Sequence, residues 1–157
     1  RYEGFGPGGT GIIVDCLTDN INRTVSEVRN AFTKIGCKMG VNGSVEHGYR
    51  HLSYITLKGM DEETVLETLI MADLEVLEVE QEDDVVEIEA NGFDIDKIQD
   101  VLTEADASVE IIEAESGWYP LDFIELDEEN KALFDKMMAL FEESEDVQEV
   151  YHNVKED

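Results

Sequence analysis

The sequence is poor in bases, proline, cysteine and tryptophan. Lysine and arginine together number 11 against 39 aspartates and glutamates, so the formal net charge is −28 over 157 residues. Such a charge repels nucleic-acid phosphate and anionic lipid over most of the surface. No apolar run approaches the roughly 20 residues of a membrane-spanning helix. No basic-then-apolar signal segment stands at the start. No membrane partner is therefore expected. Cys16 and Cys37 are the only cysteines; they suggest no disulfide framework, and reduced thiols packed as small core residues in a cytoplasmic protein are expected. Only three histidines are present. His47 and His51 stand four apart, but Gly48 and the strand pattern that follows argue against the helix that would pair them as metal ligands. No Gly-x-Ser-x-Gly elbow and no Asp-x-Asp-x-Asp-Gly calcium loop occurs. Acidic runs such as Glu80-Gln81-Glu82-Asp83-Asp84 read as solvated faces. No catalytic residue, cofactor, metal or small-molecule substrate is expected, with a metal-assisted hydrolase on the acidic clusters as a remote alternative. The first residue is Arg1, not Met, so the chain is expected to be a piece of a longer protein.

What is present is unevenly distributed. Hydrophobic residues make up 42% of the chain, enough for a core. Residues 1–60 hold seven bases and five acids, net +2, whereas residues 61–157 hold four lysines and 34 acids, net −30. Residues 61–116 alone carry 21 acids and the single base Lys97. This shift places boundaries near Gly59 and Gly117.

The periodicity predicts alternating elements. "NRTVSEVRNAFTKIG" has a Thr24…Glu27 capping box, with Val25, Val28, Ala31, Phe32 and Ile35 on one face. "DEETVLETLIMAD", capped by Asp61, "DIDKIQDVLTEAD" and "DEENKALFDKMMALFEES" are further helices. "GIIVDCL", "HLSYITL", "LEVLEVEQED", "DVVEIEANG", "SVEIIEAE", "WYPLDFIEL" and "DVQEVYHNV" read as strands. The order is β-α-β, then α-β-β-α-β, then β-α-β. It predicts an α+β protein: a discontinuous ferredoxin-like domain over 1–60 and 117–157, with a small acidic domain at 61–116 inserted in its middle.

The opening "RYEGFGPGGTGIIVDCL" contains Gly4, Gly6 and Gly9 as G-x-G-x-x-G. A dinucleotide cradle must follow a strand and open a helix. Here the glycines read as a loop leading into a strand, and Pro7 removes an amide donor. A flexible entry loop is expected instead. The remaining lead is cationic. Arg23, Arg29, Lys34 and Lys38 lie on or beside the first helix, off its apolar face. With Arg1, Tyr2, Phe5 and Tyr49 they form the mixture of cation and aromatic that grips a phosphate backbone or a single strand.

"RYEGFGPGGTGIIVDCLTDNINRTVSEVRNAF", "NGSV" and "DVQEVYHNV" together resemble the YebC/PmpR family, across essentially the whole chain. The resemblance implies a basic helical N-terminal domain, absent here, followed by an α+β domain with another inserted into it. It makes "GFGPGG" the hinge leaving that first domain. It also implies a non-enzymatic, DNA-binding regulator of transcription. The alternative is a translation factor at the ribosome, contacting ribosomal or messenger RNA and ribosomal proteins; the resemblance includes a mitochondrial translational activator. The motif residues carried over are Gly4, Phe5, Gly6, Pro7, Gly8, Gly9, Asn22, Arg23, Thr24 and Arg29, with Tyr151, His152 and Asn153. "EHGYRHLSYITLKG" and "SGWYPLDFIEL" depart from the family pattern.

Overall fold

The computed structural model describes residues 1–156. It is an α+β protein with two four-stranded antiparallel sheets and four helices. The chain divides into two compact units, residues 1–50 with 118–157, and residues 51–117.

The first unit contains β1 (Tyr2–Phe5), β2 (Gly11–Cys16), α1 (Ile21–Thr33), β3 (Lys38–Met39), α4 (Glu128–Glu142) and β8 (Val147–His152), with strand order β3-β1-β2-β8. One sheet face packs on α1 and α4 through Ile12, Val14, Val28, Phe32, Phe134, Met137 and Phe141. Each such side chain contributes about 1.5–3 kcal/mol on burial. Phe32 and Phe141 meet edge to face, 5.9 Å between centroids. The other face carries a smaller cluster of Ile13, Val45, Tyr49 and Trp118, with Tyr151 against it.

β1 corrects the expected entry loop. Gly4 itself lies in a strand, which Gly6 and Gly9 follow; it pairs with β2 in register Gly4↔Ile12 and with β3 in register Gly4↔Met39. It sits second in the sheet. Its two buried positions, Glu3 and Gly4, face opposite sides of the sheet and neither is a large apolar residue, so no apolar alternation betrays it. A second correction concerns the α1 cap. Asn20, not Thr24, accepts from the Arg23 amide, at 3.1 Å. Thr24 lies inside the helix and is buried.

The second unit is built on β5 (Val76–Glu82), β6 (Val85–Asn91), α2 (Glu62–Met71) and α3 (Ile95–Ala105), with β4 (Tyr49–Lys58) and β7 (Glu110–Pro120) entering it. The division falls within β4 and β7. The sheet order is β5-β6-β4-β7, so "HLSYITL" and "SVEIIEAE" pair in this second sheet. "SVEIIEAE" and the start of "WYPLDFIEL" form one continuous strand that ends at Pro120, while Ile124 makes only a single bridge to Val154. Asp61 caps α2 by accepting from the Thr64 amide at 2.8 Å. Ile55, Leu57, Val65, Leu69, Val86, Ile88, Ile98 and Leu102 form its core. The first unit holds nine bases and eighteen acids, net −9, and the second two bases and twenty-one acids, net −19. No helix among the described residues is long and apolar enough to cross a membrane.

Candidate nucleic-acid interface

The glycine stretch is a tight hairpin between β1 and β2. The Gly6 amide donates to the Thr10 carbonyl at 2.7 Å, and the Thr10 hydroxyl to the Pro7 carbonyl at 2.6 Å. Gly8 has φ +69° and Gly9 φ +82°, conformations that L side chains rarely adopt. A Cβ on Gly4 would stand 2.7 Å from the buried Phe32 ring. The turn leads into a strand, so its amides do not line the α-helix N-terminus that a dinucleotide cradle requires. Phe5 is half exposed beside it. Tyr2 is half-buried against the main core.

Glu3 is wholly buried. Its carboxylate accepts from the backbone amides of Gly43 (2.8 Å), Val45 (3.0 Å) and Glu46 (2.9 Å). Burial pushes its pKa up, but those three amides and the Arg1 charge overcome this and hold it below the ordinary value. Arg1 lies 3.4 Å from Glu3, donates to Glu46 at 2.7 Å and stacks over Trp118 at 4.8 Å from the ring centroid. Arg1 is thus engaged internally.

Arg23 is engaged as well. Its guanidinium grips Asp146 with two hydrogen bonds, at 3.0 and 2.7 Å, and reaches Asp19 at 3.2 Å. The Thr24 hydroxyl donates to the same Asp146 carboxylate at 2.8 Å. Bonds from Arg23 and Thr24 hold the Asp146 carboxyl below its usual range and raise the Arg23 pKa. The pair fastens the start of α1 to the turn before β8.

Further along α1 the cations are free. Asn22, Ser26, Arg29 and Thr33 are all exposed and follow one another at helical spacing. Asn30 and Lys34 are exposed alongside, and Lys38 is exposed on β3. Among the described residues Arg29, Lys34 and Lys38 enter no ion pair. The helix carries one acid, Glu27, whose carboxylate accepts from Ser144. The result is a polar, cationic stripe on a chain that is otherwise strongly acidic.

The C-terminal motif is structural in its contacts. Asn153 Oδ1 accepts from the Gly11 amide at 3.0 Å. His152 is half-buried with its ring edge-on to Phe134, and burial lowers its pKa. Tyr151 packs against the Ile13–Trp118 cluster. Cys16 and Cys37 are free, half-buried against the main core, and burial raises both thiol pKa values. Sequence reasoning missed Glu3, Asp146 and Trp118. Two acids among 39 carry no local mark of burial.

Known proteins resemble the chain throughout. A probable transcriptional regulatory protein of Alteromonas mediterranea is 44% identical over 153 residues, 98% of this chain and 64% of that protein. One of Vibrio parahaemolyticus is 44% identical over 155 residues, 99% of this chain and 65% of that protein. A conserved hypothetical protein of Aquifex aeolicus, known from its crystal structure, superposes with a TM-score of 0.62 at 33% identity, over 98% of this chain and 63% of that one. The chain thus spans under two thirds of the length of these relatives. The family model for the TACO1/YebC second and third domain matches residues 1–154. On that match and those identities, the chain belongs to the TACO1/YebC family and carries its second and third domains.

Proposed function

We propose that the chain is the body of a cytoplasmic, non-enzymatic regulator of gene expression, and that it meets duplex DNA along α1. The observation that carries this reading is the stripe of Asn22, Ser26, Arg29, Thr33 and Lys34, with Lys38 beside it. Among the described residues its cations enter no ion pair, so neutralising a phosphate sacrifices none. The relatives named as probable transcriptional regulatory proteins support it. We further read residues 61–116 as an acidic insert in a discontinuous ferredoxin-like domain. The second unit that holds this insert, residues 51–117 at net −19, would penalise any pose that brings phosphate near it, restricting how a duplex can approach.

Fluorescence anisotropy of the chain with a labelled duplex across a salt series tests the reading. Arg29→Ala with Lys34→Ala should flatten the slope of log K against log salt by about 2, roughly one per cation. An unchanged slope would remove α1 from the interface. The acidic second unit favours a second reading, a translation factor that contacts basic ribosomal proteins. Co-sedimentation with ribosomes, without binding to the duplex, would select it.

A further inference from the structure

We propose that the groove between α4 and β8 receives an extended lysine- or arginine-bearing segment of a partner protein, which adds to the first sheet as a fifth strand. This does not rest on the nucleic-acid reading.

β8 ends the sheet order β3-β1-β2-β8, and its strand partner is β2. The other end of the sheet, β3, is two residues long and begins with Lys38, which blunts it against pairing. β8 is six residues long and contains no proline or lysine. A groove of about 260 Å³ runs beside it. Met138 and Phe141 of α4 and Val147 and Val150 of β8 give it an apolar lining, with exposed Glu142 and Glu149 at its rim. An edge beside an apolar trough is the arrangement that strand addition uses: main-chain bonds on the edge, and alternate side chains in the trough. Just past β8, Ile124 already pairs in this way with the chain: its amide donates to the Asn153 carbonyl at 2.8 Å, and the Lys155 amide donates to its carbonyl at 2.7 Å.

The rim decides the occupant. Among the described residues neither Glu142 nor Glu149 enters an ion pair. A segment alternating apolar and basic residues would fill the trough with one face and neutralise the rim with the other. A second copy of this chain would bring the same glutamates against each other, a like-charge penalty.

The test uses the whole chain, ¹⁵N-labelled, and a fluorescein-labelled octapeptide of alternating lysine and valine. Its counterpart has the same lysines with proline in place of valine. Anisotropy should show the valine peptide binding at least about tenfold more tightly, because proline can neither donate to the edge nor fill the trough. Amide shifts should centre on residues 138–152, with slowed hydrogen exchange in β8. Glu142→Lys with Glu149→Lys, both at exposed positions, should weaken binding by at least about fivefold while Trp118 emission stays native. Met138→Glu should weaken it from the trough side. Equal binding of the two peptides, or shifts centred on residues 61–115, would overturn the proposal as unspecific charge attraction. Protection of β8 that grows with protein concentration in the absence of peptide would overturn it in favour of self-association.

Discussion

Replacing Glu3 by Gln removes one charge and almost no volume, at a site where the geometry states what is lost. The Glu3 carboxylate takes three backbone amides, two on one oxygen and one on the other. A glutamine can keep the Val45 and Glu46 amides on its carbonyl oxygen. Its NH₂ then faces the Gly43 amide, donor against donor. One charge-assisted bond is lost outright and two are weakened, so the cost is about 2–3 kcal/mol. The side chain is fully buried, so solvent does not discount it. For a unit of this size that corresponds to a fall of about 10–20 °C in thermal midpoint. Trp118 is the only tryptophan and lies in the cluster beside this site, so its emission reports the right unit. The pH dependence has a fixed sign. The folded pKa lies below the ordinary 4.5, so the advantage of Glu over Gln is fully present above pH 4.5. It is lost as pH falls through the folded value. A midpoint within about 2 °C of wild type, or a difference that persists unchanged into acid, would refute the reasoning.

Three other outcomes are expected. Gly4→Ala should cost about 1–3 kcal/mol by overpacking, because its Cβ would meet the buried Phe32 ring at 2.7 Å; Phe32→Leu in the same chain should recover part of that, read as a non-additive shift in urea midpoint. Asn153→Ala leaves the Gly11 amide without its acceptor and should cost about 1–2 kcal/mol by the same measurement. Residues 51–117 expressed alone should unfold cooperatively by far-ultraviolet circular dichroism, since their core closes on itself; a non-cooperative melt would count against an independent acidic domain.

Legibility in the sequence followed the physics of each element. α2, α3 and α4 were readable because apolar periodicity and first-turn acids coincide, and the β5–β6 hairpin because Asp83 and Asp84 punctuate two β-branched runs. α1 was readable in its apolar face but not in its cap: Asn20 and Thr24 are both suitable cap residues, and burial of Thr24 against Asp146 is a tertiary fact. β1 was hidden because its buried positions are a glutamate and a glycine. Ser116-Gly117 looked like a break between strands, yet β7 runs through it to Pro120. Within the candidate interface the cations of α1 were visible as types. Which of them are free was not, because Arg23 is claimed by an acid 123 positions away.

That last distinction separates folding from recognition by experiment. Gly4, Gly8, Arg23, Thr24 and Asn153 each have an internal reason to be what they are: a ring, a positive φ, a buried carboxylate, a strand amide. Arg29 and Lys34 have none among the described residues. Arg23→Ala should therefore lower the Trp118 thermal midpoint, because Asp146 is left in place without its two guanidinium bonds. Any loss of duplex binding in that variant should track the loss of folded protein and vanish under conditions where it is fully folded. Arg29→Ala should do the reverse, leaving the midpoint unchanged and the salt slope reduced by about 1. If Arg23→Ala weakened binding while fully folded, the interface would extend to the start of α1 and the clamp would be part of it.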